Sequence, residues 1–402
     1  MRIGVLCHSS LGGSARVGTE LALGMAERGH HVHVFARSAP LHLRPGLPRM
    51  HLHPLAGPAP VTARLDANWS PEDLDALVGL VATVAIRERL DVLHFHYAVP
   101  FALVAASVRR RLGSAAPVLV GTLHGTDVSA YGCDAKVGPP LARALRAVDQ
   151  LTTVSECYAR LATDVFRLPA PPRVIPNFVD LTRFRPRSDR ERRLEDRGGR
   201  FLIVHISNFR PVKDPLAVAR IFLRLQRRLP VSLWLIGVGS ELPAVRAVLS
   251  GGGAEGHVQY LGYQEDVSEL LARADLLLMA SRAESFCLAA LEAMACGVPV
   301  LASAVGGLTE LVGHGRHGFL YPLDDHEQAE QLGVELLSDR DRYAEMCRQA
   351  VCRAGQFDRE QVIDLYEDLY RGLIGRRSAV EVQVGDLSLV DGLSESWCDC
   401  TS

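Results

Sequence analysis

Along the chain, short apolar or β-branched runs alternate with stretches in which apolar residues return every three or four positions. Ile3–Cys7, Val32–Phe35, Val92–Phe95, Val118–Leu123 and Leu151–Val154 read as strands of a first half. Phe201–Ile206, Leu233–Ile236, Val258–Leu261, Leu276–Met279 and Val300–Ala302 read as strands of a second. Runs that are apolar on both faces belong to parallel sheets covered by helices on both sides. The repeated scheme predicts an α/β protein of two Rossmann-like, doubly wound domains, divided near the Arg173-Val-Ile-Pro-Asn177 segment. The predicted units are 1–178 and 179–355, followed by a closing helix at 356–375, where Val362, Ile363, Tyr366, Tyr370 and Leu373 recur at helical spacing. After Gly375 the period fades into Ser, Asp, Glu and Gly, so 376–402 reads as a mobile appendage to which no role attaches.

A length of 402 residues fits two cores rather than one. With 44 basic against 46 acidic residues the net charge is −2, and no global field favours nucleic acid. The arginine-rich stretch before Arg200 is interspersed with acids and reads as a solvated linker. No apolar run approaches the ~20 residues of a membrane span. The start, Met1 to Cys7, enters a strand without the features of a leader peptide, so the expected location is cytoplasmic. Nine scattered cysteines suit reduced thiols, and Cys398-Asp-Cys400 is not a metal-knuckle spacing. Small-molecule chemistry is the default.

Ligands of doubly wound sheets bind at the carboxyl ends of strands, and the polar motifs fall there. After the first strand, Gly12 and Gly13 allow close approach of a ligand to the backbone, and Ser14 is placed to cap the next helix. This is not the G-x-G-x-x-G fingerprint, and Phe35-Ala-Arg37 stands where a ribose-binding acid would be needed, which argues against a nicotinamide enzyme. His94 and His96 share one side of an extended segment but have no third ligand nearby, so no metal is expected. His124, before Gly125, reads as a donor aimed into the cleft. Asn208, Arg210 and Lys213 end the first strand of the second half, with two cations suited to a diphosphate leaving group. Glu284 and Glu292 flank the start and body of one predicted helix, about 12 Å apart along its axis. That distance suits two grips on a long polyhydroxylated ligand. Backbone N–H groups of Ser285, Phe286 and Cys287 would face it between them.

Together, Asn208-Phe-Arg210-x-x-Lys213, Glu284-x7-Glu292, the run 292–299 and Gly306-Gly307 before Glu310 resemble the retaining GT-B glycosyltransferases of family four. The resemblance covers about residues 1–373. Within that family, Gly12-Gly-Ser14, His94-x-His-Tyr97-Ala-x-Pro100 and Leu123-His-Gly-Thr-Asp127 look most like the bacillithiol-assembly enzymes that pass N-acetylglucosamine from UDP to L-malate. The resemblance implies an acceptor-side first domain and a nucleotide-sugar-binding second one. It implies that Arg210 and Lys213 hold the donor diphosphate, Glu284 the sugar hydroxyls, Glu292 the ribose, and Gly12 and Gly13 the phosphate. Asn208 and Ser285 to Leu288 would complete the donor site, and His124 would contact the sugar near the reacting carbon. Ser14, His96, Tyr97 and Thr126 would line the acceptor pocket, which Arg16 could also reach. It further implies front-face transfer with retention, no required metal and no cofactor besides the donor substrate.

Arg16 stands where the bacillithiol enzymes would be expected to carry a small or apolar residue, and the composition suggests a high-GC actinobacterial source. A related transferase of specialised metabolism, using a UDP- or GDP-sugar and a small thiol or zwitterion, therefore stays open beside the malate reading. A GT-B nucleotide-sugar epimerase and a silent nucleotide-sugar sensor are the other readings. The base, sugar, acceptor and a possible homodimer are left open.

Overall fold

The computed structural model describes residues 1–10, 12–40, 43, 46–55, 69–187, 189 and 194–391, with side chains described to residue 377. The first sheet contains β1 (Arg2–Leu6), β2 (His31–Ala36), β3 (Met50–Pro54), β4 (Val92–His96), β5 (Val118–Leu123), β6 (Gln150–Thr153) and β7 (Arg173–Val174). Its order is β3-β2-β1-β4-β5-β6-β7. The second contains β8 (Phe201–Ile206), β9 (Val231–Ile236), β10 (Val258–Gly262), β11 (Leu276–Met279), β12 (Val300–Ser303) and β13 (Gly318–Tyr321), in the order β10-β9-β8-β11-β12-β13. All pairings are parallel. Both orders reverse beside the first strand, at β1/β4 and β8/β11, and these switch points set where ligand clefts open.

β3, β7 and β13 were not expected. All three lie at sheet edges: β3 reads Met-His-Leu-His-Pro and lacks the two-sided apolar pattern, β7 is only two residues long, and β13, Gly-Phe-Leu-Tyr, is apolar but only four residues long. Ser70 and Asp73 form a reciprocal capping box on the helix Pro71–Glu88, with a proline in its first turn. The helix Gly13–Glu27 departs from expectation, because Gly12 rather than Ser14 occupies the cap and no side chain caps it. Its first N–H groups thus stay available at the cleft.

The last helix, Arg359–Asp391, crosses back onto the first sheet. Val362, Ile363, Tyr366, Leu369, Tyr370 and Leu373 are buried against Ile3, Val5, Leu21 and Val32. Tyr370 Oη lies 2.6 Å from His94 Nδ1, and Arg28 pairs with Glu360, Asp364 and Glu367. This helix runs past the expected end at 375. No proline interrupts 376–391, so the loss of apolar period did not end the backbone ladder. Residues 392–402, with Cys398 and Cys400, lie outside the described residues.

Arginines of the expected linker are bound to the second domain: Arg183 to Asp266, Arg187 to Glu269 and Arg197 to Asp275. Core packing leaves little slack between β4 and β5. A Cβ on Gly121 would lie 2.0 Å from Phe95 Cζ. Gly121→Ala should therefore cost about 1–3 kcal/mol by overpacking and lower the calorimetric midpoint by several degrees. An unchanged midpoint would show that the Phe95 ring gives way freely.

Candidate active site

Two adjoining cavities, of about 300 and about 190 Å³, open at the carboxyl ends of both sheets. Gly12, Gly13, Asn208, Lys213 and Glu284 line both, so one elongated ligand could occupy the pair. The first continues between Arg16, Gly237, Val238, Tyr263, Cys287 and Glu292. The second reaches Ser14, Tyr97, His124, Thr126, Asn177, Arg210, Ser285 and Leu288.

Lys213 Nζ donates to Glu284 Oε1 at 2.6 Å, and Ser281 Oγ donates to the same oxygen at 2.8 Å. Burial works against the Lys213 ammonium, but the carboxylate beside it prevails and raises the lysine pKa. Arg210 makes no ion pair among the described residues. One cation is committed within the protein and the other is available. Lys213→Ala would strand the Glu284 carboxylate, which is 6% exposed. Breaking such a pair should cost about 2–3 kcal/mol, less than for full burial because 24% of the Lys213 side chain is exposed. Urea unfolding should show the loss, and Lys213→Ala with Glu284→Gln should recover part of it.

Glu284 does not stand on the helix that carries Glu292. That helix spans Leu288–Ala295, with Cys287 at φ +79° before it, so the axial separation expected for the two carboxylates does not apply. Glu284 sits instead in a loop clamped from behind. Gly307 N donates to Glu284 O at 2.8 Å, and a Cβ on Gly306 or Gly307 would come within 2.1 or 2.0 Å of the carbonyl of Glu284 or Ser285. Only glycine permits that approach. Phe286 lines neither cavity; its ring is buried 5.6 Å from that of Phe357.

On the other wall, Asp127 accepts from the backbone of Ala98, His124 and Gly125 at 2.7–3.1 Å and so shapes the turn after β5. The sequence reading included Asp127 in a motif but gave it no task; its position two and three residues after those N–H groups was the available signal. His124 Nε2 lies 3.1 Å from His96 Nδ1, and burial lowers the His124 pKa to about 3, so its ring is neutral. His96, expected at the acceptor, is 1% exposed and lies behind His124. Tyr97 Oη and Thr126 Oγ1 are 2.6 Å apart, and both residues line the second cavity.

Arg16 lines the first cavity and not the second, with Nη1 against Glu292 Oε1 and Nε donating to Glu20 at 2.9 Å. Two further contacts cross between the domains. Ser285 Oγ donates to His124 O, and Glu310 accepts from Glu156 N and Cys157 N at 2.9 and 2.7 Å, at the start of the helix Glu156–Phe166. Gly237 and Gly239 were overlooked; a Cβ on either would fall within 2 Å of the carbonyl of Ser207 or Asn208. Their alternation directly after an apolar strand was the missed signal.

Among the described residues, no group of three or more His, Cys, Asp or Glu is placed to hold a metal ion, and no helix is long and apolar enough to cross a membrane. The seven described cysteines are free.

Residues 11–183 match the model of Glycosyltransferase Family 4, and 187–352 that of Glycosyl transferases group 1. The chain is 34% identical to an N-acetyl-alpha-D-glucosaminyl L-malate synthase of Bacillus anthracis, over 92% of this chain and 96% of the relative. It is 31% identical to a D-inositol 3-phosphate glycosyltransferase of Thermobispora bispora, over 84% of each. The fold is shared with Anabaena Alr3699/HepE, solved in complex with UDP and glucose, at a TM-score of 0.75 and 20% identity, over 92% of this chain and 99% of that one.

Proposed function

This chain belongs to the group 1, family 4 glycosyltransferases of GT-B fold, and on that premise we propose that it moves N-acetylglucosamine from UDP to L-malate. The observation that carries the reading is the convergence of both domains on one cleft. A free arginine, a Lys213–Glu284 pair and the Gly12-Gly13 turn meet around the space that Tyr97, Thr126 and His124 face. Arg210 and Lys213 would take the diphosphate, Glu284 the sugar hydroxyls and Glu292 the ribose. Tyr97, Thr126 and Ser14 would hold the acceptor. In front-face transfer a donor phosphate oxygen receives the acceptor proton. The neutral His124 ring then has no proton to gain, and serves as a hydrogen-bonding group against the sugar. Reaction with no metal added, in the cytoplasm, belongs to the same proposal.

The 31% likeness to a D-inositol 3-phosphate glycosyltransferase favours inositol phosphate as the second acceptor. The test incubates the protein with UDP-N-acetylglucosamine and either acceptor, following UDP release and product mass. Malate turnover alone supports the proposal, and preferential glycosylation of inositol phosphate overturns its acceptor. Release of an epimerised sugar from donor alone would overturn the transfer step itself.

A further inference from the structure

The Arg16–Glu292 contact joins groups that belong to different domains. Arg16 stands in the first turn of the helix Gly13–Glu27, and Glu292 in the helix Leu288–Ala295. The Arg16 guanidinium is fixed from three sides: Nε to Glu20, Nη1 to Glu292, and its face 5.7 Å from the Phe184 ring. Glu292 is 4% exposed, and its Oε1 meets Arg16 as an ion pair without the alignment of a hydrogen bond. The buried Glu292 carboxylate thus stands at the wall of the first cavity with Arg16 beside it.

We propose that Arg16 is a positioning residue for the donor, reaching across the cleft to hold the Glu292 carboxylate ready for the two ribose hydroxyls when the domains close. The proposal rests on reading Glu292 as the ribose ligand. It makes nucleotide capture depend on a residue of the domain that does not carry the nucleotide.

The charges around Glu292 give the pair its consequence. Burial raises the Glu292 pKa, and Glu20 adds to the rise, while Arg16 and Arg183 oppose it. Cys287 and Cys296, on either end of its own helix, are thiols pushed up by burial and carry no charge at neutral pH. Tyr263, from the loop after β10, feels Arg16 and Glu265. Glu269 and Asp266 act on the Cys296 end of the helix. Without Arg16 the largest opposing charge is gone, and the Glu292 pKa rises further. A carboxylic acid cannot accept from a vicinal diol at both oxygens as a carboxylate does. Because the folded pKa is the raised one, affinity is present above it and lost as pH falls through it. Arg16→Ala should move that loss upward in pH. Arg16→Lys keeps the charge but not the fork that spans Glu20 and Glu292 at once.

The experiment measures UDP affinity by titration calorimetry from pH 6.5 to 8.5 for the parent, Arg16→Ala, Arg16→Lys, Glu292→Gln and Arg16→Ala/Glu292→Gln, with a thermal melt of each to confirm folding. Arg16→Ala is expected to weaken UDP roughly five- to tenfold at pH 6.5, recovering toward pH 8.5, with Arg16→Lys between it and the parent. Added to Glu292→Gln, it should change affinity less than twofold. Parent-like affinity in Arg16→Ala beside a weakened Glu292→Gln overturns the inference and leaves the ribose reading standing. A pH-independent loss of equal size in both backgrounds also overturns it, because Arg16 would then act apart from Glu292. Parent-like affinity in Glu292→Gln removes the ribose reading itself, and the inference with it.

Discussion

Arg210→Ala is expected to lower turnover by about 10²–10³-fold while leaving the fold intact. The asymmetry between the two cations is the reason. Lys213 already has a carboxylate partner at 2.6 Å, so part of its charge is spent before any ligand arrives. Arg210 faces the second cavity with no ion pair among the described residues, and charge developing on a departing diphosphate would meet it unopposed. A charge that is weakly engaged in the resting protein and strongly engaged in the transition state acts on the rate more than on binding. The loss should therefore fall on kcat more than on donor KM. Thermal stability should stay within a few tenths of a kcal/mol, since no buried partner is stranded. Steady-state kinetics with UDP-N-acetylglucosamine and malate would check this, and near-parent kcat would remove Arg210 from the reaction.

Acidification should unfold the protein between about pH 6 and 4. His8, His94, His96 and His205 are all buried, and burial lowers each pKa: to about 4 for His8 and His205, to about 3 for His94, and well down for His96. The sign follows from proton counting. Below its ordinary value of 6.5 each histidine takes up a proton in the unfolded chain that the folded chain refuses, so stability falls as pH falls. Each contributes about 1.4 kcal/mol per pH unit over the window between its unfolded and folded pKa. Four together approach about 6 kcal/mol per unit, against a total stability of about 5–15 kcal/mol for ordinary proteins. Circular dichroism from pH 7 to 4 would follow it. A native spectrum and unchanged urea midpoint at pH 4.5 would mean that the histidines become protonated without leaving the fold. His94→Phe would be a poor control, because Tyr370 and Thr122 both bond its ring.

The central strands were readable because burial on both faces writes an unbroken apolar run, a signal carried within five or six residues. β3 and β7 were not, because the edge strand β3 alternates histidines with apolar residues and β7 is two residues long; β13, Gly-Phe-Leu-Tyr, offers an apolar run of only four residues. At the site, the spacing of Asn208, Arg210 and Lys213 was legible as a cation pair at the end of a strand. Their inequality was not, since Glu284 lies 71 residues further on. The Glu284–Glu292 spacing likewise suggested one helix, until the positive φ of Cys287 and the close packing of Gly306 and Gly307 showed a loop ahead of it.

By itself the sequence determined the α/β class, the two repeats and the residue types that meet at the ends of their strands, since these follow from local periodicity and turn chemistry. The tertiary structure decided the pairings: Lys213 with Glu284, Glu310 with the start of the helix Glu156–Phe166, and the last helix with the first sheet. It also set Arg16 against Glu292. Such partners are chosen by the packing of two domains against each other, and no pattern confined to one stretch of chain records that choice.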